Sequence, residues 1–239
     1  MNWQTVKLDT AVSTHDLIKR TDGDRVVVVA DYQEAGRGQG QNKWESERGK
    51  NLLFSVKTPV PAIPANRQFL LSMAGALALK DVLDDYAEAF TLKWPNDIYW
   101  HDSKISGTII DTAISGKVIC QCIYGIGINI NQRIFTSDAP NPVSLCTIVG
   151  HDVDRDGVME KFLHRLENRM DALEKYRYDD VTAEYVGSLY RRSGFFEYED
   201  CCGRFSAEIV GVMPNGHLVL CDSDGKRRDY ELKEVKFII

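Results

Sequence analysis

The chain has 239 residues, 44% hydrophobic and 27% charged, with a formal net charge of −6. That length holds one large domain, or a large one with a small one, and the composition is ordinary for a globular protein. An acidic balance argues against general nucleic-acid binding, which needs a basic face, though it leaves room for a local basic site.

The opening MNWQTVKLDT carries no apolar core and is not a secretory signal. In DRVVVVADYQ (24–33) four successive valines read as a buried strand, far too short to span a bilayer. KNLLFSVKT (50–58) reads as a second strand, and the two form a hairpin-like unit with a long connection. Connections longer than about 12 residues inside a compact domain are usually functional or disordered. At the centre of this one lies GRGQGQNKW (36–44). It is not a P-loop, because no G-K-S/T closes it. Nor is it G-x-G-x-x-G, since its glycines stand at 36, 38 and 40 and no helix follows. Glycines let backbone N–H groups approach an anion, with Arg37 and Lys43 supplying charge. A solvated hairpin tip explains the same composition.

Residues 66–90 are predicted as a helix capped by Asn66, with Leu70, Ala74, Leu77, Ala78 and Val82 on one face. FTLKWPNDIYW (90–100) reads strand, turn, strand, with the turn at Pro95-Asn96-Asp97. Lys93, Trp94, Asn96 and Asp97 surround that turn, either to hold a ligand or merely to cap it. KISGTIIDTAIS and KVICQCIYGIGINI are two strands joined at 115–117. Lys104, at the start of the first, suits a phosphate contact as a point charge, or is a plain surface lysine. Gly125 and Gly127 mark a bulge or a close ligand approach, and Asn129 and Asn131 break the isoleucine pattern. Amphipathic helices are predicted at 156–176 and 181–190. From about residue 193 short alternating strands with turns at 214–216 and 223–225 fit a small β-barrel. The expected division is therefore 1–190 and 191–239. Six scattered cysteines without a C-x-x-C pair, and five histidines without ligand spacing, suggest reduced thiols in a cytoplasmic protein and no structural metal.

The order of these motifs is more specific than any one of them. GRG…W-x-S…G-x-N-L, then KWPND, then K-x-x-G, then G-x-G-x-N resembles the biotin–protein ligase family over essentially the whole chain. The resemblance implies an α+β fold, a class II synthetase-like mixed sheet with flanking helices, followed by a C-terminal SH3-like β-barrel. It implies a two-step reaction. Biotin and ATP, with Mg²⁺, give biotinyl-5′-AMP, and a lysine of a biotin carboxyl carrier protein then takes the biotin. It implies biotin contacts from Ser13, Thr14, His15, Gln33, Gly36, Arg37, Gly38, Lys104, Gly107, Gly125 and Gly127. It implies adenylate contacts from Arg37, Gln39, Trp44, Lys93, Asn96, Asp97, Lys104 and Asn129, with Lys104, Arg37 and Lys93 as the catalytic cations. No metal ligands follow from it. Some members carry an N-terminal DNA-binding segment that has no counterpart here, so no DNA or membrane partner is expected. Homodimers and monomers both occur among members.

This sequence departs from the family pattern at three places. His15 stands where many members have Asn, Gln39 replaces a loop arginine, and Asp111 stands where many have Glu. The competing readings are a lipoate– or octanoate–protein ligase and a biotin-binding module without catalysis.

Overall fold

In the computed structural model, which describes residues 3–38, 44–136 and 141–239, the β-branched runs assemble into one seven-stranded mixed sheet. Its strands are β1 (Gln4–Leu8), β2 (Val26–Ala30), β3 (Leu52–Pro64), β4 (Phe90–Lys93), β5 (Asp97–Trp100), β6 (Ser103–Ser115) and β7 (Val118–Ile128), in the order β1-β2-β3-β7-β6-β5-β4. β1 pairs with β2 in parallel, and the remaining pairs of this sheet are antiparallel.

The period of two along each strand separates the faces. Leu52, Phe54 and Val56 of β3, with Tyr124, Ile126 and Ile128 of β7, join the main core. That core is covered by helices α2 (Phe69–Asp84) and α4 (Arg155–Glu174). Phe54 meets Phe162 of α4 edge-on at 5.5 Å, and the Tyr124 hydroxyl donates to the Leu71 carbonyl at 2.8 Å. Burying each such Leu, Ile or Phe contributes roughly 2 kcal/mol of transfer free energy. On the opposite face the short helix α1 (Thr14–Ile18) covers one end, where Ile18 packs on Val26, Val28 and Ile123. Ser55, Gly125 and Gly127 lie on that second face, beside α1.

Helices α3 (Leu145–Val149) and α5 (Tyr178–Gly187) complete the helical set. The helix expected over 66–90 is shorter than the sequence pattern suggested, the one over 156–176 is one residue shorter, and the one expected at 181–190 lies three residues earlier at the same length. Asn66 is not the cap of α2; it sits in a 3-10 turn, Ala65–Arg67, and Gln68 precedes the helix without a side-chain cap bond. α2 stops near Asp85, and Ala89 with φ +72° turns the chain into β4. Tyr176, φ +56°, likewise closes α4. β1, α1 and α3 are too short for a periodicity reading. α1 has a local signature nonetheless: Ser13 accepts from the Asp16 N–H at 3.3 Å, the capping geometry of S-x-x-D.

The C-terminal strands β8 (Phe196–Asp200), β9 (Gly203–Val212), β10 (Leu218–Asp222), β11 (Arg227–Tyr230) and β12 (Lys236–Phe237) form an antiparallel sheet ordered β11-β10-β9-β8-β12. The expected barrel is not closed. Among the described residues no ladder joins β11 to β12, which are four and two residues long. Closure needs a full staggered ladder, and edge strands of that length cannot supply one. Tyr198, Ile209, Leu218, Leu220 and Phe237 nevertheless belong to the main core. Among the described residues no helix is long and apolar enough to cross a membrane.

Candidate functional site

The open face of the seven-stranded sheet has a floor without side chains. Gly107 of β6 is paired with Gly127 of β7, and Gly125 lies two residues on, flanked by Ser55 and Ile109. The pairing runs regularly through Gly125 and Gly127, so the bulge reading fails. What these glycines permit is close approach. A Cβ on Gly127 would lie 2.6 Å from Trp44 Cε2, and one on Gly125 would lie 2.6 Å from His15 Nδ1. A Cβ on Gly107 would meet Trp44 Cζ3 at 3.1 Å, with Asp97 Oδ1 and Lys104 Nζ both at 3.3 Å.

Polar groups without net charge gather over the Ser55–Gly125 row. The Thr14 N–H donates to Gln33 Oε1 at 2.8 Å, and the Thr14 hydroxyl reaches that oxygen at 3.2 Å and Ser55 Oγ at 2.9 Å. His15, only 5% exposed, engages Asp111 through Nε2 at 2.9 Å, and Lys19 pairs with the same carboxylate. Burial pushes the His15 imidazole below its ordinary value, with Asp111 opposing. For Asp111 burial pushes upward, but the bonds from Lys19 and His15 leave it below the usual carboxylate range. A neutral His15 therefore keeps its proton on Nε2, donates to Asp111, and leaves Nδ1 an acceptor. Nδ1 has no partner among the described residues, and neither has the Trp44 indole N–H. Buried polar groups are ordinarily paired, so both are groups that a ligand on this floor can meet.

A second cluster, charged this time, stands beside Gly107. Lys104 Nζ donates to Asp97 Oδ2 at 2.5 Å and lies 5.9 Å from the Trp44 ring centroid. The Lys104 backbone is clamped, its N–H on the Asn141 carbonyl and its own carbonyl on the Val143 N–H. Lys93 and Asp97 are register partners on β4 and β5, and the turn between them holds a cis Trp94-Pro95 bond and buried Asn96. Tyr185 of α5 donates to the Pro95 carbonyl at 2.5 Å, and Trp94 Nε1 donates to the Gly216 carbonyl at 2.9 Å. Asn129 Nδ2 donates to the Val143 carbonyl at 3.1 Å, while its buried Oδ1 has no partner among the described residues.

Thr14, His15, Gln33, Trp44, Lys104, Asp97, Gly107, Gly125 and Gly127 are thus brought to one face. Ser13 caps α1 at its edge. Gly36 binds the Trp44 N–H through its carbonyl at 3.0 Å, and Gly38 ends the described stretch before the gap. Arg37 is the exception among the expected cations. It pairs with Asp16 at 2.8 Å at the α1 edge, with its side chain 58% exposed, rather than with the Lys104 cluster. Gln39 and Lys43 lie outside the described residues. Sequence reasoning missed Ser55, whose signal is a lone polar residue inside LLFSV. It also missed the clamp in which Asn51 Nδ2 and the Glu47 N–H both bind Gln132 Oε1, at 2.7 and 2.9 Å, seating the chain after Trp44.

Residues 4–129 match the model of the Biotin/lipoate A/B protein ligase family, more than half of the chain. The chain belongs to that family. A biotin–[acetyl-CoA-carboxylase] ligase of Paracoccus denitrificans is 31% identical over 207 residues, covering 84% of this chain and 85% of the relative. The bifunctional ligase/repressor of Bacillus subtilis is 26% identical over 95% of this chain and 71% of its own. The biotin protein ligase of Aquifex aeolicus, solved in complex with biotin and ATP, superposes with a TM-score of 0.79. It has 24% identity and covers 98% of this chain and 99% of its own, a likeness of fold.

Proposed function

We propose that this ligase is a biotin–protein ligase, which joins biotin to ATP and passes the biotinyl group to a lysine of a biotin carboxyl carrier protein. One observation supports this above the others. The glycine floor has a neutral hydrogen-bonding cluster at one end and the Lys104–Asp97 pair at the other. From Ser55 to Gly107 is two strands across and two residues along, roughly 12 Å by strand geometry. A flat ureido ring over Gly125 and an extended chain ending in a carboxylate beside Lys104 match that arrangement.

In the first step a biotin carboxylate oxygen attacks the α-phosphorus of ATP, and the α–β bridging bond breaks to release pyrophosphate. Both reactants are anionic, so a cation at their junction lowers the repulsion and stabilises the charge that builds up. Lys104 holds that place, 2.5 Å from Asp97 and fixed through its backbone. Lys93 pairs with Asp97 across the KWPND turn, and Arg37 reaches the site only by leaving Asp16. In the second step the neutral amine of the acceptor lysine attacks the acyl carbon. The C–O bond to AMP breaks and the amine loses a proton. No nucleophile on the enzyme is required, and positioning carries much of the barrier. Trp44 flanks the adenine, and Asn129 Oδ1 and Asn96 are nucleotide-side groups in this reading. Mg²⁺ enters with ATP, and Asp97 Oδ1, which faces Gly107, is the carboxylate oxygen that fits it. The proposal divides the chain into a substrate-binding domain, 1–190, and a C-terminal domain, 191–239. It places the protein in the cytoplasm, in keeping with six free cysteines.

Biotin-dependent exchange between ATP and labelled pyrophosphate, followed by transfer to a purified carrier domain, tests the reading. Exchange with lipoate or octanoate but not biotin would overturn it in favour of the other branch of the family. Biotin binding without AMP release would reduce the protein to a binding module.

A further inference from the structure

Lys93 has an unusual environment for a lysine. Its ammonium sits 4.7 Å from the ring centroid of Phe237 and 5.4 Å from that of Tyr99. Among the described residues no carboxylate or carbonyl accepts a hydrogen bond from it. Burial favours loss of its proton, opposed by Asp97 and reinforced by Lys104 and Arg191. A desolvated ammonium whose three donors bond to no described residue lies here against two ring faces, with Asp97 as the nearby counter-charge, an arrangement that leaves those donors available to an incoming anion.

Phe237 comes from the last strand of the chain. β12 pairs with β8, and Phe237 packs edge-on against Tyr198 at 5.0 Å and near Tyr190 at 6.4 Å. Tyr190 in turn lies 5.4 Å from Tyr99. Arg191 ties the segment leaving α5 to this strand by donating to the Ile238 carbonyl at 2.7 Å. The same sheet braces the other side of the KWPND turn through the bond from Trp94 to Gly216. A Cβ on Gly216, φ +96°, would lie 2.5 Å from Phe69, so only glycine fits this brace.

We propose that Phe237 is a positioning residue for Lys93, and that the C-terminal sheet thereby completes the polyphosphate side of the site. Phe237 touches no reacting atom in this arrangement. It presents a ring to the Lys93 ammonium from the last strand, and Tyr99 presents a second ring from β5. The nature of the polyanion, the phosphates of ATP, rests on the ligase reading above; the contact between ring and ammonium does not.

Two measurements on the full chain test it, with Phe237→Leu and Phe237→Tyr compared with the parent. The first is the NMR shift of the Lys93 ε-methylene protons, which a facing ring moves upfield. The second is the split between KM for ATP in the exchange reaction and Kd for biotin by calorimetry. In Phe237→Leu the Lys93 signal is expected to move downfield and KM for ATP to rise about fivefold to tenfold. Biotin affinity should stay within about twofold, and Phe237→Tyr should keep parental values, because it keeps the ring. If leucine unfolds the sheet in a thermal melt, Phe237→Met takes its place. An unmoved Lys93 signal, an equal loss of ATP and biotin affinity, or a tyrosine variant as impaired as leucine overturns the proposal. A parent protein that shows no biotin-dependent exchange counts against the ligase reading instead, and the Lys93 shift still decides for or against Phe237.

Discussion

At one end of the glycine floor Thr14, Gln33 and Ser55 share three hydrogen bonds of 2.8 to 3.2 Å, with no formal charge among them. At the other end Lys93 and Asp97, which flank one turn, and Lys104 of the next strand bring two cations and a carboxylate together. The first end offers directional donors and acceptors, which discriminate a ligand by leaving buried groups unpaired when the wrong one enters. The second offers charge, which matters most when charge is redistributed during reaction. Recognition and chemistry are therefore separable along this floor, and substitutions at the two ends should fail in different ways.

The largest separation is expected at Lys104. Lys104→Met keeps the stem and removes the cation. It should lower the exchange rate by about a hundredfold to a thousandfold, the loss seen when one preorganised stabilising group is removed. Calorimetry should still find biotin bound within a few-fold of parental affinity, and the melting temperature should barely move, because Lys104 is partly exposed. Exchange that survives in Lys104→Met would take Lys104 out of the chemistry. Biotin affinity that collapses with it would mean the two ends are not separable.

The mirror experiment is Gly125→Ala. The added methyl would meet His15 Nδ1 at 2.6 Å and Ile109 Cγ1 at 2.8 Å. His15 cannot swing away freely, since Asp111 holds its other nitrogen and Asp111 itself is held by Lys19. The first turn of α1 must shift, carrying Thr14 off Gln33 and Ser55. Biotin affinity should weaken by about tenfold to a hundredfold, about 1.4–2.8 kcal/mol. The exchange rate at saturating biotin should stay near parental. A variant with normal Kd would show that the head of the ligand does not lie over Gly125.

This pair of ends explains what the sequence made visible. The charged end is contiguous: Lys93, Asn96, Asp97 and Lys104 fall within twelve residues, so three consecutive strands, β4 to β6, deliver them and two adjacent motifs, KWPND and K-x-x-G, announce them. The neutral end is assembled from α1, the stretch just after β2, β3 and β6, and no spacing links Thr14, Gln33, Ser55 and Asp111. Only the family resemblance reached Thr14 and Gln33, and nothing reached Ser55. The fold followed the same rule. Long strands with strong alternation, such as β6 and β7, were legible. β1 and α1 were not, because five residues carry little periodicity and their place is set by pairing with β2 and capping by Ser13. The closed barrel was expected from the run of short alternating strands and from the family resemblance, and the shortness of β11 and β12 overrode it.

His15 and Asp111 give the neutral end a pH signature on the acid side of neutrality. In the unfolded chain His15 titrates near its ordinary value of about 6.5. In the folded protein burial lowers it. Between those values the unfolded chain binds more protons, so stability rises with pH, is complete above about 6.5 and falls away below it. Asp111, held below its ordinary value, adds a further loss only in stronger acid. His15→Asn removes the titrating group. Between pH 7 and pH 5.5 the parent should lose a few degrees of melting temperature more than the variant does. Parallel curves would show that folding does not lower the His15 pKa, and the case for a neutral ring with Nδ1 as acceptor would go with it.

The smallest expected effect tests how the charged end is braced. Tyr185→Phe removes the donor to the Pro95 carbonyl and leaves that acceptor without its partner inside the protein. Such a loss costs about 1 kcal/mol, which for a chain of this size lowers the melting temperature by about 2–4 °C. The turn has a second brace, the bond from Trp94 to Gly216, so Lys93 and Asp97 should keep their register and KM for ATP should change less than twofold. If KM for ATP instead rises as far as in Phe237→Leu, α5 and the C-terminal sheet hold the turn as one unit, and the separation between the ends depends on both.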